Sequence, residues 1–130
     1  MDISKYPQVI QDRVTIKQVA YGGTCKPATS YAYEIEASEW TLHHEMGHAT
    51  AKILGIEQEL AEMVWNLPGS ERVTNDNIFC YGAQEQQRGN CRKARAEYAA
   101  DAIQAYMLNW PELPKKVKEY IQYKISQALY

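Results

Sequence analysis

The chain has 130 residues, with 14 Lys and Arg against 16 Asp and Glu and a formal net charge of −2. That length fits one domain, residues 1–130, able to bury a core without disulfides. The near-balanced charge, free of any long basic run, gives no sign of a nucleic-acid partner.

No apolar stretch approaches the ~20 residues of a bilayer span. The N-terminus, MDISKYPQVI, has no basic segment followed by an apolar one. The expectation is a cytoplasmic protein that does not engage membranes. Cys25, Cys80 and Cys91 are odd in number and form no CxxC pair. They read as thiols of a reducing compartment, with a Cys80–Cys91 bridge around a surface loop as the alternative.

In chain order, PQVIQD suits a short helix with Pro7 in its first turn. RVTIKQVAY, residues 13–21, sets Val14 and Ile16 against Thr15 and Lys17 and predicts a strand. GGTCKP breaks it. SYAYEIEA, residues 30–37, alternates Tyr31, Tyr33 and Ile35 with Ala32, Glu34 and Glu36, predicting a second strand antiparallel to the first. Ser38 as cap, Glu39 in the first turn and Gly55 at the end frame a helix over 39–55.

IEQELAEMVWNL places Ile56, Leu60, Met63, Val64 and Leu67 at helical spacing before Pro68 and Gly69. Residues 69–91 are polar and turn-rich around one apolar knot, NIFCY, and predict a long functional loop. Residues 92–109 are strongly helical by propensity. From Pro114 onward, Val117, Ile121, Ile125 and Leu129 recur every four residues, predicting an amphipathic closing helix.

The chemistry-bearing motif is His44-Glu45-Met46-Gly47-His48, an HExxH. On a helix the two histidines project from one face ~6 Å apart along the axis, so both imidazoles reach one Zn²⁺. Glu45 sits beside the first ligand, placed to take a proton from metal-activated water. The bland alternative is a solvated helix face. Met46 and Gly47 argue against it, being apolar and tiny where such a face carries charge.

A catalytic zinc takes three protein ligands and keeps one position open. The extended motif HExxHxxGxxH is excluded, because Ala51 and Leu54 occupy its glycine and third-histidine positions. The chain's three histidines are residues 43, 44 and 48, so the third ligand is a carboxylate or a thiolate. Glu97 is the candidate, with Asp101 one turn later on the same face, placed to accept the second-nitrogen proton of His44. The alternative for this pair is exposed charge partnering Arg92, Lys93 or Arg95. Ala94, Ala99, Ala100, Ala102 and Ala105, set against Gly47 and Ala51, permit the close helix approach that a short carboxylate needs.

HExxH followed by a downstream helix bearing E-x-x-x-D resembles the gluzincin group of zinc metallopeptidases. The stretch EYAADAIQAYMLNWPELPKKV resembles the glutamate helix and Pro-rich turn of minigluzincins and of anthrax lethal factor-like protease domains, and is similar to that of phage-associated repressor-cleaving zinc peptidases. The matched segments are 41–55 and 94–114. The resemblance implies an α+β, zincin-like metallopeptidase domain with a short antiparallel sheet, an HExxH active-site helix, a glutamate helix and a C-terminal helix. It implies zinc at His44, His48 and Glu97, with Glu45 as general base and acid. It also implies an edge strand that aligns peptide substrate, for which SYAYEIEA is the natural choice. Gluzincins commonly stabilise the oxyanion with Tyr or His. No motif places that residue here. Tyr81 in the long loop is the preferred candidate and His43 the weaker one, while Tyr98 points away from Glu97.

The expected function is therefore a zinc-dependent endopeptidase acting on a peptide or protein substrate. Two alternatives stand beside it. One is a latent or inactive zinc-binding domain, its cleft covered by residues 1–12, by the tail, or by Cys25 reaching the metal from a flexible turn. The other is a non-enzymatic protein-interaction module without metal.

Overall fold

The computed structural model describes residues 2–68 and 78–128. It is an α+β fold of six helices and a three-stranded mixed sheet among those residues. The helices are α1 (Gln8–Gln11), α2 (Leu42–Ile53), α3 (Glu57–Trp65), α4 (Cys80–Gln87), α5 (Cys91–Met107) and α6 (Lys115–Ala128). The strands are β1 (Val14–Gln18), β2 (Gly23–Pro27) and β3 (Tyr33–Ala37).

The sheet corrects two expectations. Its order is β1-β3-β2, and β3 runs parallel to β1, with Ile16 opposite Ile35, rather than antiparallel to it. GTCKP, read as a break, is itself strand β2, antiparallel to β3 with Cys25 opposite Ile35. β3 is therefore the central strand, and β1 and β2 are the edges. Alternation correctly gave the faces, since Ile35 and Ala37 are buried while Glu34 is exposed. Face alternation carries no information about strand direction. The hairpin over 28–32 reverses the chain between β2 and β3, where Thr29 Oγ1 accepts from the backbone N–H of Tyr31 and Ala32 at 3.1 Å each.

The helices end as their sequences require. Gly55, Gly89 and Asn109 have φ of 68°, 81° and 55°. At each, the residue beyond returns its N–H to a carbonyl five residues back: Ile56 to Ala51, Asn90 to Glu85 and Trp110 to Ala105. This is the Schellman closure. α2 begins at Leu42, later than the predicted 39. Thr41 Oγ1, instead of capping the helix, donates to the Gly22 carbonyl at 2.6 Å and ties the helix start to the strand loop.

The predicted loop over 69–91 is also revised. Residues 69–77 lie outside the described residues, and 80–87 form α4. Ile78 and Phe79, the apolar knot, are buried in the core. α5 is the central helix, packed by α2, α3 and α4, which explains its many buried alanines and its weak amphipathicity. α6 buries Val117 and Ile121 against the core. Residues 129 and 130, predicted within this helix, lie outside the described residues. No helix among the described residues is long and apolar enough to cross a membrane. The three cysteines are free, so no Cys80–Cys91 bridge forms.

Candidate metal centre

The HExxH residues and the glutamate helix meet because α2 and α5 pack antiparallel at very close range. Contact is close at Gly47, where a Cβ would lie 2.6 Å from the Ala100 carbonyl oxygen and 3.1 Å from its Cα. Only glycine permits that approach. The result brings a short carboxylate within reach of two imidazoles.

His44, His48 and Glu97 each offer one donor atom, and these atoms lie within 4.8 Å of one another. Glu97 Oε2 is 2.6 Å from His44 Nε2, and Oε1 is 3.3 Å from His48 Nε2. The two imidazole rings stand nearly perpendicular, with centroids 4.8 Å apart. His44 Nδ1 faces away from this cluster and lies 3.2 Å from Asp101 Oδ1, an ion-pair distance with poor hydrogen-bond alignment. Asp101 is fully buried, and its Oδ2 accepts from the Gly82 backbone N–H at 2.9 Å. The side chain thus fixes the His44 ring from one direction and α4 from the other.

Electrostatics follows from this crowding. Burial opposes charge on His44, but the Asp101 and Glu97 carboxylates outweigh it and push its pKa up to about 9. Burial likewise opposes ionisation of Glu97, yet the imidazoles of His44 and His48 hold its carboxyl well below the usual range. Burial raises Asp101 despite the opposing pull of His44. It also raises Glu45 against the same imidazoles. Two nitrogen donors and one ionised carboxylate, with the other nitrogen of one ring facing a buried acid, form a donor set that could hold a metal ion.

Around the cluster opens a cleft of about 610 Å³, walled by β2 on one side and by α4 and α5 on the other. Glu45 is buried against β2, where a Cβ on Gly23 would meet its Oε2 at 2.8 Å. Tyr81 stacks on His44, with ring centroids 4.1 Å apart and planes 26° from parallel. Its phenol is raised by burial, so it is a neutral O–H.

No family model, curated protein or solved structure matches the chain. The functional reading therefore rests on its own residues.

His44, His48, Glu97 and Asp101 are brought together, with Glu45 and Tyr81 lining the same cleft. Tyr81 lies on a helix rather than a loop. His43 is not in the site: its Nδ1 pairs with the hydroxyl of the buried Tyr6 at 2.9 Å, with the two rings stacked. That removes it as an oxyanion donor. Tyr98 is buried under Phe79 and Trp65 and donates to Gln86 Oε1 at 2.6 Å. Cys25 lies on β2 in the cleft wall, not in a flexible turn, and is absent from the cluster of possible ligands among the described residues. Burial raises its thiol to about 11, so at neutral pH the metal-free side chain is a protonated thiol.

The sequence reading missed Gly23, Gly82 and Glu85. Gly82 is required because a Cβ there would fall 2.2 Å from the Tyr98 ring. Its signal, a lone glycine inside YGAQEQQ, was hidden by assigning that segment to a loop. The run of Ala, Gln and Glu ending in Gly89 was the available sign of a helix.

Proposed function

We propose that this chain is a zinc-dependent endopeptidase of the zincin type, with His44, His48 and Glu97 as zinc ligands. The observation that supports it most is the convergence of those three donors from two helices, the shortest contact, His44 to Glu97, joining residues 53 apart in sequence, beside a buried carboxylate in an open cleft. Its resemblance to gluzincins through HExxH and E-x-x-x-D is consistent with the same reading.

Zinc held there supplies Lewis acidity, polarising a peptide carbonyl and bringing water toward ionisation near neutral pH. The chain's own groups do the rest. Asp101 holds the His44 ring with Nε2 toward the ligand cluster. Glu45, its pKa raised by burial, takes a proton at a carboxylate oxygen and later gives it to the leaving amine nitrogen. The Tyr81 hydroxyl donates a hydrogen bond where negative charge develops on the carbonyl oxygen. β2, the edge strand beside the cleft, pairs with an extended substrate backbone in place of the predicted β3, which is already paired on both sides.

Glu45→Gln separates binding from turnover. The variant is expected to take up one equivalent of Zn²⁺ as the parent does, and to lose peptide cleavage by at least a hundredfold, since positioned acid–base groups contribute about 10²–10⁴. Metal analysis and cleavage of a mixed peptide library read both. Zinc uptake without cleavage in the parent chain would favour the inactive zinc-binding alternative, and no uptake would favour the interaction module.

A further inference from the structure

The cleft is electrically lopsided, and its basic end has no part in holding the metal. Because α2 and α5 run antiparallel, one turn beyond His48 and one turn before Glu97 lie at the same end of the site. Lys52 and Lys93 occupy those positions, each four residues from a proposed ligand and on its helix face. Arg88 joins them from the end of α4, and all three line the cleft.

The group that organises this end is Glu85. It is buried, at 7% exposure, and its two oxygens accept from Arg88 Nη1 at 3.0 Å and Asn90 Nδ2 at 3.1 Å, with Lys93 Nζ at 3.8 Å. The cations it anchors remain 65% exposed, so each keeps N–H groups open to solvent while lining the cleft. Lys52 lies 3.6 Å from Glu57, which does not line the cleft. Even with that pairing counted, cations outnumber carboxylates here, on a chain whose net charge is −2.

Resting on the peptidase reading above, we infer that Lys52, Arg88 and Lys93 form a carboxylate-binding subsite. It selects peptides that place an acidic group near the bond cut. The carboxylate comes from an Asp or Glu side chain or from the peptide's own C-terminus. Cations grouped along one cleft concentrate such ligands more than isolated surface lysines do.

The test uses the full zinc-loaded chain and peptides identical except for Glu, Gln or Lys at each position flanking the cleaved bond, with free or amidated C-termini. At low salt the best Glu peptide is expected to be cleaved with kcat/KM about tenfold above its Lys counterpart. The ratio should shrink toward about twofold in 0.5 M salt. A preference lost on amidation assigns the C-terminal carboxylate; one that survives amidation assigns the side chain. The double variant Lys52→Gln, Lys93→Gln should lower the Glu-to-Lys ratio severalfold. If it fails to fold, the salt dependence of the parent chain still decides. Equilibrium binding of the same peptides to Glu45→Gln, with and without zinc, reads the preference apart from turnover. If no peptide is cut yet the Glu peptide binds more tightly, the peptidase reading fails and the subsite stands. Equal cleavage or equal binding of Glu and Lys peptides overturns the subsite.

Discussion

Asp101 is the residue on which most of the site's order depends, because its two oxygens serve different masters. Oδ2 holds the Gly82 N–H, and Oδ1 faces His44 Nδ1. Asp101→Asn keeps an acceptor for Gly82 but loses the negative charge that orients the imidazole. Such partners typically matter by 10–100-fold in metal affinity. The variant is therefore expected to fold normally and to bind zinc about tenfold or more weaker, as measured by competition with a chelating dye. Unchanged affinity would reduce Asp101 to a packing role. Sequence reasoning reached this residue through spacing alone, since i and i+4 share a helix face. It did not reach Gly82, whose need arises from the Tyr98 ring pressed on it, a contact between helices that no local pattern encodes.

At the scale of elements, the helices were legible and the sheet was only half so. Apolar periodicity located α3 and α6, the cap and the terminal Gly55 located α2, and helix propensity located α5. α4 escaped because its buried groups, Gly82 and Glu85, do not look apolar. Strand direction escaped because the pleat fixes faces only. The close α2–α5 approach was legible through its small residues, and it gives the next prediction. Gly47→Ala places a methyl against the Ala100 backbone, which cannot rotate away, so the helices must part. Overpacking of this kind costs about 1–3 kcal/mol, despite alanine's better helix propensity. Urea denaturation should show that loss, and zinc affinity should fall with it as Glu97 withdraws from His44 and His48. At the end of α5, Asn109 holds φ of 55°. Asn109→Ala is expected to be about 1 kcal/mol less stable than Asn109→Gly by the same measurement, because only the alanine meets the left-handed penalty.

For the whole molecule, the proposed ligand set links metal, protons and stability through His44. Its pKa in the metal-free fold, about 9, lies above the ordinary histidine value near 6.5. The charged ring therefore stabilises the metal-free fold fully below about pH 6.5, and that contribution is lost as pH rises through about 9. Glu97, held low, adds its share above the ordinary carboxylate range and loses it in acid. Zinc requires the neutral imidazole. At pH 7 it must displace the His44 proton and the pairing with Glu97, whereas at pH 9.5 much less has to be displaced. The stabilisation by saturating zinc, about 4 kcal/mol at a thousandfold excess over Kd, should thus grow with pH at fixed free zinc. Thermal melts of metal-free and zinc-loaded protein between pH 6 and 9.5, with free zinc buffered, measure it directly. The gap in Tm should widen across that window, and calorimetry at pH 7 should show proton release on zinc binding. Glu97→Ala should abolish most of the zinc-dependent gap. A gap independent of pH would mean that the metal displaces no proton from His44, and would place zinc elsewhere on the chain.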